Sequence, residues 1–228
     1  MSLPTAEFDQ RLRWALWGWI AALAVNAVCV ATFGDGVAVT ELVVAVHGTV
    51  WHALLSLFTD YGMYVFYALF IIVLLVGWRR GDRRLRTLGW GYVLAQLSGS
   101  VLIVRSLKIL TGHARPNALA PGAAGSHWIG PTMDASYHSF PSGHTADLFT
   151  GAIFVAVLAR NPALRVLGFA LAALVAFSRV ALDKHYPTDV LAGLVIAGVV
   201  SLCLLAYWVR PRLRRDDVLG RNDPDEAT

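Results

Sequence analysis

The chain has 228 residues, of which 57% are hydrophobic and only 15% are charged, and its mean hydropathy is +0.57. A water-soluble domain keeps about a quarter of its residues charged, and a disordered chain is more polar still, so this composition excludes both classes. The net charge of +4 does not indicate nucleic-acid binding, because the basic residues fall in short clusters between apolar stretches. We therefore expect an integral membrane protein.

Six apolar stretches are each close to the roughly 20 residues that a helix needs to cross ~30 Å of hydrocarbon. The first is too long for a signal-peptide core and no small-residue cleavage site follows it, so we interpret it as a retained span. In chain order the six predicted spans are residues 14–33, 62–78, 87–107, 144–160, 165–182 and 190–209. This pattern predicts an all-α bundle in a single membrane domain, residues 1–211, followed by a disordered cytoplasmic tail, residues 212–228.

Residues 37–58 are also apolar, but Glu41, His47 and His52 interrupt them. A seventh span here would place the basic segment Arg79–Arg86 across the membrane from the N-terminus, against the tendency of Lys and Arg to collect on the cytoplasmic side. We therefore predict that residues 37–58 form an interfacial helix on the outer surface, with their acidic and imidazole groups facing water.

With six spans, 14 of the 19 basic residues lie on one side of the membrane. Because cytoplasmic loops collect Lys and Arg, both termini are predicted to be cytoplasmic, and the protein is predicted to lie in the cell (inner) membrane. The other five basic residues fall on the outer side, where a charge near hydrocarbon needs a partner or a function. They are Arg105, Lys108, Arg115, Arg179 and Lys184. Snorkelling is the alternative for any one of them, but together they indicate an anion site.

The first outer motif runs from Lys108 to Arg115 and Pro116, where the third span gives way to a loop. Lysine supplies a point charge and arginine a planar fork that matches phosphate oxygens. The segment therefore offers two cations to an anionic ligand.

The second motif is Pro141-Ser142-Gly143-His144, at the start of the fourth span. Ser142 is a good N-cap residue, Gly143 lets the backbone approach a ligand, and a helix N-terminus presents free N–H groups to an anion. His144 is predicted in the first helical turn.

The third motif joins the last two spans and contains Arg179, His185 and Asp189. Arg179 adds another guanidinium fork, and the Asp189 carboxylate can hold one nitrogen of the His185 imidazole while the other remains free.

These groups predict phosphoryl transfer without a metal ion. One imidazole can attack phosphorus and a second can protonate the leaving oxygen, while fixed cations neutralise the equatorial oxygens. A metal site is the weaker alternative, because the remaining outer carboxylates, Asp134 and Asp183, are scattered and show no metal-ligand spacing.

The ordered triplet K-x6-R-P, P-S-G-H and S-R-x5-H-x3-D resembles the signature of the type-2 phosphatidic-acid phosphatase superfamily. The resemblance implies that His185 is a nucleophile forming a phosphohistidine, that Asp189 orients it, and that His144 is the general acid. It implies no metal or other cofactor. The implied phosphate cradle consists of Lys108, Arg115, Arg179, Ser142 and the Gly143 backbone.

Within this family the chain looks like the bacterial undecaprenyl-diphosphate phosphatases, which implies hydrolysis of undecaprenyl diphosphate to undecaprenyl phosphate at the outer face of the bilayer. The resemblance leaves phosphatidylglycerophosphate, phosphatidate and another polyprenyl phosphate open as substrates. A protein that only binds or transports lipid phosphates is the non-enzyme alternative, although transporter sites usually lie at the bilayer midplane. Oligomeric state is left open.

Three histidines of the loop before the fourth span, His113, His127 and His138, could line the site, but a solvated position is the commoner situation of a loop histidine and is the one we expect. Trp128 is predicted to be an interface aromatic. Cys29 and Cys203 lie inside apolar runs without metal-ligand or disulfide spacing, so we interpret them as buried filler.

Overall fold

The computed structural model describes residues 5–118 and 128–221, and the regular secondary structure within these ranges is entirely helical. Strand-like pairing among the described residues is limited to isolated bridges from His113 to Trp128 and His138. The all-α prediction is confirmed. Position 127, one of the three loop histidines, lies outside the described residues.

The helices follow one another with short connections, except for the long loop that precedes α6. In two places a helix continues through a π-helical segment, Gln96–Val104 between α4 and α5 and Leu205–Val209 between α8 and α9. The α-helices are α1 Thr5–Phe33, α2 Val37–Val46, α3 Val50–Arg79, α4 Arg83–Ala95, α5 Arg105–Thr111, α6 Gly143–Leu158, α7 Pro162–Ala181, α8 Pro187–Leu204 and α9 Arg210–Arg221.

Five continuous helical segments are long and apolar enough to cross a membrane. They are α1, α3, the α4–α5 segment, α7 and the α8–α9 segment, and they contain or overlap five of the six predicted spans. The remaining predicted span, residues 144–160, corresponds to α6, an apolar helix of only 16 residues. Length and composition therefore support five candidate membrane spans, and the sixth span stays a prediction.

Residues 37–58 form two pieces instead of the single helix that the sequence predicted. Gly48 adopts a φ of +73°, which a residue with a Cβ rarely adopts, and the chain breaks there between α2 and α3. Residues 50–58 therefore belong to the long helix α3, and an interfacial position stays a prediction for α2 alone.

Helix α6 lies at the centre of the bundle, where it packs against α1, α3, α7 and α8. A cluster of aromatic rings fills the core beside it: the Phe70 and Tyr92 rings stack with centroids 4.1 Å apart, and Phe154 packs edge-on against Phe70. A Cβ on Gly193 of α8 would lie 2.4 Å from the Ser142 carbonyl oxygen. The absence of a side chain there lets the start of α8 approach the start of α6.

The beginning of α1 meets the end of α6 and the end of the chain. Arg11 donates to the carbonyls of Val157 and Leu158 at the C-terminus of α6, and Arg210 lies 2.5 Å from the Asp9 carboxylate. Helix α9 continues through residues 212–221, where the sequence predicted disorder, and the rest of the predicted tail lies outside the described residues.

Candidate active site

The candidate site lies at the opposite end of α6, where its N-terminus meets the loop after α5 and the turn between α7 and α8. Helix α5 ends at Gly112, whose φ of +56° and close approach to the Gly130 carbonyl leave no room for a Cβ. This left-handed residue is a common helix terminator. It directs the chain out of the helix within one turn of Lys108.

Ser142 occupies the N-cap position of α6, as the sequence predicted, but its side chain makes no capping hydrogen bond. Its hydroxyl instead accepts from the Thr145 hydroxyl at 3.0 Å, and its backbone N–H donates to the Asp189 carbonyl at 2.9 Å. The first N–H groups of the helix are thus left without a serine cap, in the arrangement that suits an anion.

His185 and Asp189 form a buried pair at the start of α8. His185 Nδ1 lies 3.5 Å from Asp189 Oδ2 and 3.3 Å from the Ser139 hydroxyl, so Nε2 is the ring nitrogen that is left for a substrate. The His185 backbone N–H donates to the Arg179 backbone carbonyl at 3.1 Å, which joins the end of α7 to the turn that carries His185. Burial lowers the pKa of His185 to about 3, so its ring is neutral and its lone pair available at neutral pH.

The Asp189 carboxylate is fully buried and accepts three hydrogen bonds besides its contact with His185. The donors are His113 Nδ1 at 3.0 Å, the Ser139 hydroxyl at 2.5 Å and the Tyr186 backbone N–H at 2.9 Å. A carboxylate with this many donors is held in its charged form. It therefore fixes the His185 ring and can stabilise positive charge that develops on it.

Three cations surround this pair, and none of them forms a salt bridge with a carboxylate of the described residues. Lys108 Nζ donates to the His138 carbonyl at 2.6 Å, Arg115 Nε to a backbone carbonyl at 3.1 Å, and Arg179 to the Thr59 hydroxyl at 3.3 Å. Neutral acceptors position these groups without cancelling their charge. The site is therefore built to receive an anion.

His144 lies in the first turn of α6, half-buried, and it interacts electrostatically with Arg179, His185, Lys108 and Arg115. The structure thus brings together the residues that the three motifs singled out: Lys108, Arg115, Ser142, Gly143, His144, Arg179, His185 and Asp189. This arrangement can hold a tetrahedral oxyanion between the cations and present one neutral imidazole to it, with a second imidazole nearby.

His113 departs from the sequence prediction. The expected solvated loop histidine is only 1% exposed, its ring stacks on Trp128 with centroids 3.9 Å apart, and it contacts Asp189. The neighbouring indole shields it from solvent, which a local sequence pattern does not reveal. His138 is half-buried, and its Nε2 lies 3.0 Å from the Thr132 carbonyl.

Ser139 was also missed. Its side chain is fully buried and touches both members of the His185–Asp189 pair. The only signal in the sequence was its position just before the P-S-G-H motif, and a serine near a motif is too common to single out.

A cavity of about 1180 Å³ with a mainly apolar lining lies among α1, α2, α6, α7 and α8, and none of the eight motif residues lines it. A smaller cavity of about 290 Å³ adjoins the site and is lined in part by Lys108 and Gly143.

Comparison with known proteins gives one matching family, described as the PAP2 superfamily, over residues 84–214. A lipid A 1-phosphatase of Rhizobium etli is 34% identical over 120 residues, which are 52% of this chain and 50% of that protein. The undecaprenyl-diphosphatase BcrC of Bacillus subtilis is 31% identical over 176 residues, 73% of this chain and 82% of that protein.

An undecaprenyl-diphosphatase of Sulfolobus acidocaldarius is 40% identical over a shorter stretch of 65 residues, 28% of this chain and 31% of that protein. The chain spans about half the length of the lipid A 1-phosphatases of Rhizobium that it matches. No solved structure gives a significant match.

Proposed function

This chain belongs to the PAP2 superfamily, and we propose from its site that it is a lipid phosphatase acting through a phosphohistidine on His185. The observation that carries the proposal is the buried His185–Asp189 pair facing three cations that form no salt bridge with any carboxylate in the described part of the chain. A structural ion-pair network would neutralise such cations with acidic side chains, whereas a phosphatase leaves them for the phosphate.

In the first step His185 Nε2 attacks phosphorus while Nδ1–H donates to Asp189. The bond from phosphorus to the leaving oxygen breaks, and His144 in its protonated form transfers a proton to that oxygen, so the lipid leaves as a neutral alcohol or as a lipid phosphate. The bound phosphate favours the protonated form of His144 because the two charges are opposite.

In the second step a water molecule replaces His185 at phosphorus. His144, now neutral, accepts one proton from the water, and inorganic phosphate leaves with His185 restored. Lys108, Arg115 and Arg179 hold the equatorial oxygens in both steps, together with Ser142 and the Gly143 N–H. The mechanism requires no metal ion.

The proposal places the site at the outer face of the inner membrane, with six spans and both termini in the cytoplasm. The contacts of Arg11 with the end of α6 and of Arg210 with Asp9 support it, because they gather the two ends of the membrane domain, residues 1–211, at the pole opposite the site. Basic residues concentrate at that pole, as cytoplasmic segments do.

Undecaprenyl diphosphate is the substrate that sequence similarity favours, since the similarity to BcrC covers most of both chains. Phosphatidylglycerophosphate and phosphatidate are the alternatives from the sequence. The lipid A 1-phosphatases among the relatives add a sugar-linked phosphomonoester to that group. All of these lipids keep their tails in the bilayer while the phosphate reaches the interface.

The test is release of phosphate by the purified, detergent-solubilised full chain in the presence of chelator, beside His185→Ala. Each of undecaprenyl diphosphate, phosphatidylglycerophosphate, phosphatidate and a soluble phosphate ester is offered separately. We expect chelator-resistant release from at least one lipid, lost in the variant. A folded protein that binds these lipids and releases phosphate from none of them would replace hydrolysis with a binding or transport role.

A further inference from the structure

The smaller cavity beside the phosphate cradle has a polar lining, although it lies within helices that are candidate membrane spans. Its volume is about 290 Å³. The polar side chains that line it come from α3, the π-helical segment, α5 and α6: Tyr67, Gln96, Ser100, Arg105, Lys108 and Asp147. Polar side chains at membrane depth are expensive unless they meet a partner, so this lining requires an explanation.

The cavity adjoins the start of α6 around His144, which the proposed mechanism makes the general acid for the leaving group. Gly143 and Lys108 belong both to its wall and to the proposed phosphate cradle. Asp147 follows His144 by three residues on α6, and residues at that spacing share a helix face. A lipid whose leaving oxygen is protonated by His144 therefore has the next atoms of its headgroup in this cavity.

The Asp147 carboxyl group has one oxygen atom without a donor. The Tyr67 and Ser100 side chains hydrogen-bond to this group, but its Oδ1 atom is buried and has no hydrogen-bond partner among the described residues. The Gln96 amide group is already committed: its Nε2 donates to the Asp147 backbone carbonyl at 3.1 Å, and its Oε1 accepts from the Ser100 hydroxyl at 3.1 Å. A buried carboxylate oxygen without a donor costs free energy that a donor from a ligand would recover.

The acidic and basic residues of the cavity wall indicate which kind of ligand group could supply that donor. Asp147 is an acidic residue, whereas Arg105 and Lys108 on the same wall are basic, so the cavity presents acceptors and donors together. A neutral hydroxyl group can donate to the Asp147 oxygen and accept from the guanidinium. A prenyl chain brings no donor, and an ionised second phosphate brings only acceptors, so neither can satisfy that oxygen.

We propose that this cavity is a leaving-group subsite that binds a free hydroxyl next to the phosphorylated carbon of a lipid phosphomonoester. The inference rests on the proposed phosphatase function, and it favours a different substrate from the one that sequence similarity favours. Phosphatidylglycerophosphate carries such a hydroxyl on its terminal glycerol. Phosphatidate and undecaprenyl diphosphate do not.

The first experiment needs no variant. The wild-type chain is given phosphatidylglycerophosphate and its synthetic analogue that lacks only the free hydroxyl beside the terminal phosphate, and kcat/KM is measured for both. A hydrogen bond from substrate to a charged protein group predicts a preference of about tenfold to a hundredfold for the hydroxylated lipid. Equal kcat/KM values would overturn the subsite and leave a cavity filled only by water.

The second experiment separates the subsite from a rival role of Asp147, that of a counter-ion holding Lys108 in place. In Asp147→Ala the preference for the hydroxylated lipid is expected to fall to about twofold or less, mainly because kcat/KM for the hydroxylated lipid decreases. A counter-ion would instead lower kcat/KM for both lipids by the same factor and keep the preference, which would overturn the subsite. Glu41→Gln, an exposed acidic change on α2, is the matched control and keeps the wild-type preference.

The two proposals fail in different ways. If the wild-type chain and His185→Ala both release no phosphate from any lipid, the phosphatase function is wrong. If the wild-type chain hydrolyses both members of the pair at equal rates and His185→Ala hydrolyses neither, the phosphatase function stands and the subsite alone is wrong.

Discussion

The two ends of helix α6 meet charged side chains in opposite ways. At its C-terminus Arg11 is 2% exposed, donates to the carbonyls of Val157 and Leu158, and pairs with Glu7. A cation is favourable there, because a helix C-terminus carries partial negative charge and leaves its last carbonyls unpaired. This arginine completes the protein's own structure.

The N-terminus of α6 gathers cations where the helix itself is partly positive. Lys108, Arg115 and Arg179 lie beside it with carbonyls and a hydroxyl as acceptors but with no salt bridge to a described carboxylate. The positive electrostatic potential of the helix N-terminus then adds to that of the three side chains instead of cancelling it. A buried arginine is therefore structural at one end and available to bind an anion at the other, and its hydrogen-bond and salt-bridge partners distinguish the two cases better than its burial does.

The largest effect is expected from removing the nucleophile at the cationic end. His185→Ala should lower kcat by about 10⁴-fold or more, because binding and charge stabilisation alone cannot replace the covalent step. Phosphate release is compared with that of His47→Ala, an exposed histidine at the C-cap of α2, which should keep the wild-type rate. Substantial activity in His185→Ala would contradict the assignment.

Neutralising one cation at that end should separate activity from stability. Arg179→Met is expected to lower kcat/KM by about 10²–10³-fold, while the thermal unfolding midpoint stays the same or rises, since a buried charge that forms no salt bridge with a described carboxylate is removed. Turnover and unfolding are measured on the same preparation. A large loss of stability would mean that Arg179 belongs to the structural class of Arg11.

Arg11→Ala should show the reverse behaviour. Loss of its bonds to Val157 and Leu158 is expected to lower the unfolding midpoint on the order of 5–10 °C, with kcat per folded molecule unchanged. The thermal unfolding midpoint is measured together with kcat, which is corrected for the fraction of folded protein. A large fall in kcat of the fully folded variant would contradict the proposed difference between the two ends of α6.

A smaller effect is expected at His113, which we interpret as a positioning residue acting through Asp189. His113→Ala should lower kcat about tenfold with little change in KM, and His113→Asn, which restores a donor, should recover part of the loss. The pH profile of kcat should shift in His113→Ala, because the Asp189 carboxylate loses one donor. An equal loss of kcat in both variants, with an unshifted pH profile, would indicate that His113 contributes only by packing.

The smallest effect concerns stability against pH. Burial lowers the pKa of His185 to about 3, against 6.5 for the unfolded residue, so the unfolded chain binds the extra proton first. Stability from this group is complete above pH 6.5 and declines as the pH falls from 6.5 toward 3. In His185→Gln the unfolding midpoint should fall less steeply over that window. An unchanged slope would show that His185 does not carry the effect.

The motif residues that the sequence singled out lie together in the structure, whereas the helices around them were predicted less completely, and the roles of these residues stay predictions. Lys108, Arg115, His144, His185 and Asp189 each lie in a short motif whose local geometry is set by neighbouring residues, and the structure brings them together. Hydrophobic pattern located every long helix, but it did not show that Gly48 divides residues 37–58.

Contacts between distant parts of the chain were beyond the sequence. His113 and Asp189 are separated by 76 residues, and nothing near His113 indicates that Trp128 covers it. Ser139 and Asp147 look like ordinary polar residues until the packing of α6 against its neighbours places them. Such residues act through tertiary contacts, which a periodic or motif pattern does not encode.

The most direct test of the central claim is to trap the phosphoenzyme. The full chain is mixed with lipid carrying ³²P in its terminal phosphate, under single-turnover conditions with chelator, and quenched in alkali at early times. The account predicts protein-bound label that is stable to alkali and labile to acid, that maps to the peptide containing His185, and that is absent in His185→Ala. Turnover in the wild-type chain with no such label, or equal labelling of His185→Ala, would contradict it.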